Sequence, residues 1–572
     1  MRHGQFLRRR SRATLGGRVR PSVTVLESRL APATLVVTNV LDTPRAPDPG
    51  SLRAILAAAH DGDVITFAPE LAGQTIQEGA QVGPEGFVID KNVRIVGPGA
   101  DKLTIRGVNG GQSGPNQRVF DVRSGVFTTI AGLTIAGGSG YGVTNGGGGV
   151  RNLGTLVARG VVFSGNSATF GLGSLGGAVY NSGSAFFDSC DFSYNFASAQ
   201  LGRAVQTAPQ LAAGGAIYSA GGRIDLVGCN FRQNSALAGS FGKADALGGA
   251  VYATNTDVTV RDSYFFGNLA RADSAHLGNF LPASATGGAL AVQGGTLTVA
   301  ASTFAFNSTA AQENAIGGAI AIDGGAALVA RNVTVSNNTV TGSPVGLAVS
   351  STAFVGGAGI AVLQGTVSLD SVTVADNAAR MADPTGFFAQ NVITAVRGGG
   401  LYNAAATNAV AAKNSILALN TVTGPNSSGP NVAGTIQSRG YLLIDATEGA
   451  TILGKTHGNI FGRDPRLAPL ADNGGPTPTR ALLPDSPAVN AGSTKLRTDQ
   501  RGVRRHGRTD IGAFELRPSR PSNDHDDDCW RPATAAPMTI RQFAALFAAG
   551  SPVLTVQQFA DLLDRLDESG ES

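Results

Sequence analysis

Residues 176–195 read GGAVYNSGSAFFDSCDFSYN. A Gly-Gly-Ala-aliphatic phrase opens the stretch, an apolar strand follows, and Phe192 with Asn195 closes it as Phe-x-x-Asn. The glycine phrase recurs from Gly147, Gly214, Gly248, Gly287, Gly317, Gly356 and Gly398. Each copy leads to the second phrase, whose apolar member is Phe163, Phe192, Phe231, Phe265, Phe304, Val335, Val374 or Leu417. Three residues later stands Asn166, Asn195, Asn234, Asn268, Asn307, Asn338, Asn377 or Asn420. A period of this length is the mark of a solenoid.

The distance from a strand residue to the apolar member never slips. Leu156 precedes Phe163 by seven, as Ala185 does Phe192, Ile224 does Phe231, Val258 does Phe265, Leu297 does Phe304, Leu328 does Val335, Val367 does Val374 and Val410 does Leu417. Within these segments apolar and polar residues alternate, as in Val258-Thr259-Val260, which is the pattern of a half-buried strand. Such a strand completes its backbone hydrogen bonds by stacking on its counterpart about 4.8 Å away in the next coil. The expected fold is therefore all-β, a parallel β-helix, with phenylalanines in one interior column and asparagines in a ladder at the turn. Asparagine suits that turn because it tolerates a left-handed backbone and its amide can bond the next amide. The Gly-Gly pair suits a tight bend where a Cβ would clash. No Lys-Ser/Thr follows it and no helix begins there, so a phosphate loop is not expected. Cys190 and Cys229 share a column on adjacent coils, and two buried thiols fit parallel Cβ vectors better than a disulfide does.

From each asparagine to the third residue of the next glycine phrase the count is 12, 21, 16, 21, 12, 20 and 23, so one connection absorbs nearly all the length variation. Loops at 197–213, 269–286, 339–355 and 378–397 should emerge along one edge, either as a ligand face or as a passive fringe. Ahead of the regular coils, Ser51 precedes Leu52, Ile55, Leu56 and Ala59, an N-cap and an apolar stripe for a helix that would cover the open end. Irregular strands at 64–67, 93–96, 103–106, 119–122 and 133–135 read as the first coils.

The formal charge of +4 in 572 residues suggests a polyanion binder until its location is read. Eight arginines against Glu27 give residues 1–30 a local +7, and the rest of the chain carries −3. The basic stretch therefore reads as a leader, with no nucleic-acid partner expected. It lacks the apolar core of an ordinary secretory signal. No uninterrupted run of 18 apolar residues occurs, so no transmembrane helix is expected. At the other end, acidic Asp524 to Asp528 with Cys529 reads as a solvated linker rather than a cation site. Two capping boxes, Thr539-x-x-Gln542 and Thr555-x-x-Gln558, then open short helices carrying Ile540, Phe543, Leu546 and Phe547, and Phe559, Leu562, Leu563 and Leu566. Such a pair is marginal alone in water and should dock on the β-helix, on itself or on a cell-envelope partner.

The repeat resembles that of the chlamydial polymorphic outer membrane proteins. The order Gly50-Ser51-Leu52-Arg53-Ala54-Ile55, Val64-Ile65-Thr66-Phe67, Ile95-Val96-Gly97-Pro98-Gly99-Ala100 resembles bacterial right-handed β-helix surface proteins. Asp464-Pro465-Arg466-Leu467, Asn473-Gly474-Gly475-Pro476-Thr477, Ser486-Pro487-Ala488-Val489, Asp499-Gln500-Arg501-Gly502 and Asp510-Ile511-Gly512-Ala513-Phe514-Glu515 are similar to the choice-of-anchor Q domain. The leader, with Leu26-Glu27-Ser28-Arg29-Leu30-Ala31-Pro32-Ala33, resembles those of planctomycete surface proteins. These resemblances imply an exported, cell-surface or secreted protein whose parallel β-helix coils right-handed. They also suggest a division into leader (1–33), cap and first coils (34–145), regular coils (146–455), an anchor-like segment (456–515), acidic linker (516–537) and helical hairpin (538–572). The 57 residues after Glu515 are too few for the C-terminal barrel of membrane-inserting relatives.

Many β-helices degrade polysaccharides, which makes a lyase or glycoside hydrolase the alternative reading by analogy of fold. That chemistry needs clustered carboxylates for calcium or for acid/base work, with an Arg or Lys base, on one outer face. Outward positions Asp191, Asn230, Tyr264, Thr303, Thr334 and Thr373 give no stacked carboxylate column. Asp188 with Asp191, and Asp257 with Asp262, are lone surface pairs. His60, His276, His457 and His506 match no metal spacing. No catalytic, metal or cofactor residue is therefore assigned. The expected function is a non-catalytic scaffold, with adhesion to a cell-envelope component or an extracellular glycan or protein through the loop edge as its specific form.

Overall fold

Strand upon strand in parallel register is what the computed structural model shows, across the residues it describes: 32–79, 86–108, 117–140, 146–169, 173–200, 209–240, 243–274, 282–343, 352–381, 393–406 and 409–517. One coil contains five strand positions. Val179–Asn181, Ser184–Asp188 and Asp191–Ser193 belong to three sheets, here I, II and III, that enclose the main core; Phe196–Gln200 and Gln210–Ala213 belong to two more, IV and V. In later coils a single strand such as Leu290–Ala305 runs through the first three positions without a break.

The register is the one the spacing predicts. Leu156 pairs with Ala185, Ala185 with Ile224, Ile224 with Val258 and Val258 with Leu297. Likewise Phe163 pairs with Phe192, then Phe231, Phe265 and Phe304. Their rings stack at 4.7, 4.6, 4.5 and 4.6 Å with planes within 10° of parallel. The coil spacing dictates this geometry, because identical side chains on strands about 4.8 Å apart have nowhere else to place their faces.

Asparagine does more than bend the chain. The left-handed residue of the turn is the one before it, Tyr194, Gln233, Phe306, Asn337, Asp376 or Leu419, with glycine at 165 and 267. The asparagine itself turns inward and is buried. Asn195 Nδ2 donates to Asn234 Oδ1 at 3.0 Å and to the Phe163 carbonyl at 2.9 Å, while its backbone N–H donates to the same Asn234 Oδ1. The pattern repeats from Asn166 to Asn420 and passes to Asn431, whose amide donates to the Asp445 carboxylate. Every rung thus has its donors and acceptor used, and a carboxylate, which only accepts, ends the ladder.

Within the glycine phrase the two glycines answer different demands. Gly176 has φ +67, and a Cβ on Gly177 would lie 2.2 Å from the Gly215 carbonyl oxygen of the next coil. Cys190 and Cys229 are buried free thiols, each near backbone carbonyls, and burial raises the Cys229 pKa.

At the N-terminal end a helix spans Leu52–Ala58, with the Ala54 N–H donating to the Ser51 hydroxyl at 3.2 Å and Leu52 and Leu56 buried. Arg53 leaves its polar side, lies 4.8 Å over the Phe87 ring and grips the Asp42 carboxylate through two nitrogens. At the other end, the last coil strands are Ala450–Lys455 and Ile460–Phe461. Beyond them the chain forms an antiparallel pair, Leu467–Ala471 with Thr479–Leu482, and runs back along the outside of sheet III. The basic leader, the acidic linker, Cys529 and the C-terminal helices lie outside the described residues. Among the described residues no helix is long and apolar enough to cross a membrane.

Candidate functional site

The variable connections are built structures at their bases. Strands Ser167–Thr169, Phe196–Gln200, Ser235–Ser240, Leu269–Ser274, Ser308–Ala311, Thr339–Gly342 and Ala378–Met381 stack in register as sheet IV. Gly173–Leu175, Gln210–Ala213, Ala244–Leu247, Ala283–Thr286, Asn314–Ile316, Thr352–Gly356 and Ile393–Arg397 stack as sheet V. Together they form a fin along the solenoid. Its interior is a second core, distinct from the main one, made of residues such as Ala197, Ala212, Ala236, Ala246, Ala272 and Ala285. Alanine fills it through the earlier coils, and Val340, Val355, Met381 and Val396 join it in the later ones. The turns joining the two sheets, including residues 201–208, 275–281 and 382–392, lie outside the described residues.

This corrects the picture of loops forming a fringe: their first and last residues are strands. The sequence carried a signal for them, because Ala197-x-Ala199, Ala236-x-Ala238, Ala244-x-Ala246, Ala270-x-Ala272 and Ala283-x-Ala285 alternate with period two. Where sheet V meets sheet I, Tyr180, Tyr218 and Tyr252 stack at 5.4 and 5.7 Å. Tyr252 packs there with Ala213, Ala291 and Ala321, with Tyr218 against them, and burial raises the Tyr218 and Tyr252 pKa values, the latter to about 12.

The second correction concerns the outer face of sheet III. Thr303, Thr334 and Thr373, expected on the surface, are buried beneath the returning C-terminal segment. Gln500 is inserted between two coils: its Nε2 donates to Thr303 Oγ1 at 2.7 Å, and Thr334 Oγ1 donates to its Oε1 at 2.7 Å. The Ala513 N–H donates to Thr373 Oγ1, Asn414 Nδ2 donates to the Asp510 carbonyl, and Arg480 pairs with Asp376. Ile416 and Leu443 of the coils close an apolar cluster with Leu482, Ala488, Ile511 and Phe514. Many of these contacts come from the very residues that carry the anchor-like resemblance. The hydrogen bonds named here join residues 96 to 197 positions apart, a separation no local spacing reveals.

Among the described residues, the hydrogen bonds of the returning segment reach that face as far as the coil of Thr303. Asp191 lies 3.9 Å from Arg232; burial raises its carboxyl pKa against the pull of that arginine. Asp188 accepts from Ser189, and Asp257 accepts from Thr296, so neither of the carboxylate pairs noted in the sequence is joined into a larger cluster by these contacts. His60 faces Asp63, and His457 meets the Tyr441 ring edge. Among the described residues no three His, Cys, Asp or Glu side chains converge as metal ligands.

A cavity of about 360 Å³ opens beside the N-terminal helix, lined by Arg53, Leu56, Ala57, Phe87, Val88, Asp90 and Lys91. Arg53 is committed to Asp42 and to the Gly86 carbonyl. Nearby, Glu78 is buried with its carboxyl 3.8 Å from Arg53, and burial pushes its pKa up to about 9.

No family model matches the chain, and no curated protein matches it. Among solved structures, the crystal structure of the pectate lyase Pel9A aligns with 85% of this chain and 96% of its own, at 11% identity and a TM-score of 0.35. At that level the likeness says nothing about activity, and the β-helix assignment rests on the strand pairing above.

Proposed function

We propose that this protein is a non-catalytic, exported scaffold at the cell surface or in the extracellular space, and that it binds an envelope component or an extracellular glycan or protein through the rim of its fin. The observation that carries this reading is the fin itself. An alanine-packed pair of sheets, repeated coil after coil, spaces the length-variable turns along one edge. The 12-residue connections, Asn166 to Ala178 and Asn307 to Ala319, already build one strand of each fin sheet, so the added length of the others goes beyond what the fin itself requires. The resemblance of the repeats to polymorphic outer membrane proteins, and of 456–515 to the choice-of-anchor Q domain, supports a surface location. Extended, repetitive display also suits adhesion, since many weak contacts on one rigid axis add through effective concentration.

The competing reading is a polysaccharide lyase or glycoside hydrolase working on the open half of sheet III, where Asp191 and Arg232 sit together. Two assays separate the readings. The protein should release no reducing ends or unsaturated products from pectins, alginates or sulfated glycans. It should bind envelope preparations or a glycan panel, and that binding should vanish when residues 201–208 and 275–281 are replaced by Gly/Ser of equal length, with the melting transition unchanged. Turnover that Asp191→Asn or Arg232→Ala abolishes would overturn the scaffold reading.

A further inference from the structure

The returning C-terminal segment stops short of half the face it covers. Its border is the coil of Thr303, where Thr477 Oγ1 donates to the Ala301 carbonyl and Thr303 Oγ1 donates to the Pro478 carbonyl. The next coil pairs Tyr264 with Thr303 and Phe266 with Ala305. There the surface is aromatic: Tyr264 and Phe266 lie 5.6 Å apart, Phe266 meets Phe306 edge to face at 5.5 Å, and Phe306 is 50% exposed. Phe306 also holds φ +57, the turn position where 165 and 267 are glycine.

The same turn position in later coils shows what such side chains do. Asp376 pairs with Arg480 of the returning segment. Leu419 packs against the apolar cluster that the segment forms with Ile416 and Leu443. Phe306 holds this row in the border coil, and Phe266, one coil further and one residue ahead of that position, meets its ring.

We propose that residues 538–572 fold back onto this strip, so that the C-terminus covers the whole outer face of sheet III, with Tyr264, Phe266 and Phe306 as its landing site. Three observations select this occupant. Arg501 donates both to the Asn473 carbonyl and to the Glu515 carbonyl, so the chain leaves at Leu516 and Arg517 beside the segment that makes the border. A linker of the length of 518–537 reaches about 25 Å at random-coil dimensions, enough to cross the strip from Thr303 back to Val162, four coils at about 4.8 Å each. Finally, the two short stripes at Ile540, Phe543, Leu546 and Phe547, and at Phe559, Leu562, Leu563 and Leu566, need an apolar partner to persist as helices. The docked pair extends an interface that the same chain already makes.

Hydrogen exchange on the full-length protein tests this directly. In dilute monomeric solution, backbone amides in 539–567 should exchange at least about tenfold more slowly than an unstructured peptide of that sequence. The double variant Phe266→Ser, Phe306→Asn should abolish that protection while leaving the coil amides protected; asparagine accepts the left-handed backbone, so the fold should survive. Free exchange of 539–567 in the wild type would overturn the proposal, as would protection that the double variant leaves unchanged. Protection that rises with protein concentration would overturn it too, because the occupant would then be a second copy.

Discussion

At the scale of single residues, the columns make sharp demands. Phe231 lies between Phe192 and Phe265 in a continuous stack and is fully buried. Phe231→Ala should therefore cost about 3 to 5 kcal/mol in urea unfolding, from lost transfer energy and an unfilled cavity; a loss below about 1 kcal/mol would mean the column is not packed. Asn268→Ala removes the acceptor for both the backbone N–H and Nδ2 of Asn234. Two buried donors left without partners should cost roughly 2 to 5 kcal/mol, and a neutral substitution would show that the ladder is decorative. Glu78 makes stability depend on pH. The unfolded chain releases this proton near 4.5, whereas burial holds it in the fold to about 9, so the folded state binds the extra proton and stability falls as pH rises between those values. Glu78→Gln should flatten that decline; parallel curves for variant and wild type would rule it out. The columns of Phe and Asn were legible because the fixed distance of seven carries one residue type to one place in every coil. The asparagine's own conformation was not: the residue before it takes the left-handed turn, freeing the amide to point inward.

At the scale of elements, the fin shows how far periodicity reaches. Alanine at every second position, as in 235–240 and 244–247, is a strand pattern, but alanine is a weak strand former and a common loop residue, so the signal competes with length variation in the same connection. What decides it is stacking, since each short strand gains full hydrogen bonding only from its neighbours in the array. The thin interior yields a distinct prediction. Ala238→Leu should destabilise by about 1 to 3 kcal/mol through overpacking, whereas Arg271→Ala, on the exposed face of the same sheet, should stay within about 0.5 kcal/mol of wild type in the same melts. Equal effects would mean the two sheets are not in contact. The N-terminal helix was readable for the opposite reason, because Ser51 and the Leu52–Leu56 spacing are local signals that need no partner to interpret.

At the scale of the molecule, the sequence's short-range order ends where the chain turns back. Gln500 reaches Thr303 across 197 positions, and nothing in either neighbourhood indicates that these residues meet. As a result, three threonines that alternate outward along their strands are interior residues, and the face on which a β-helix enzyme could have been sought is half filled by its own C-terminus. The anchor-like resemblance of 456–515 said nothing of where that segment sits. Everything at this scale depends on coils lying in register along one axis. A crystal structure of the full-length protein tests that directly: it should show the rings of Phe163, Phe192, Phe231, Phe265 and Phe304 in one unbroken row, each 4.5 to 4.7 Å from the next. Phenylalanines dispersed among separate globular cores, or coils offset so that Phe231 lies against any residue other than Phe192 and Phe265 in that row, would contradict the account.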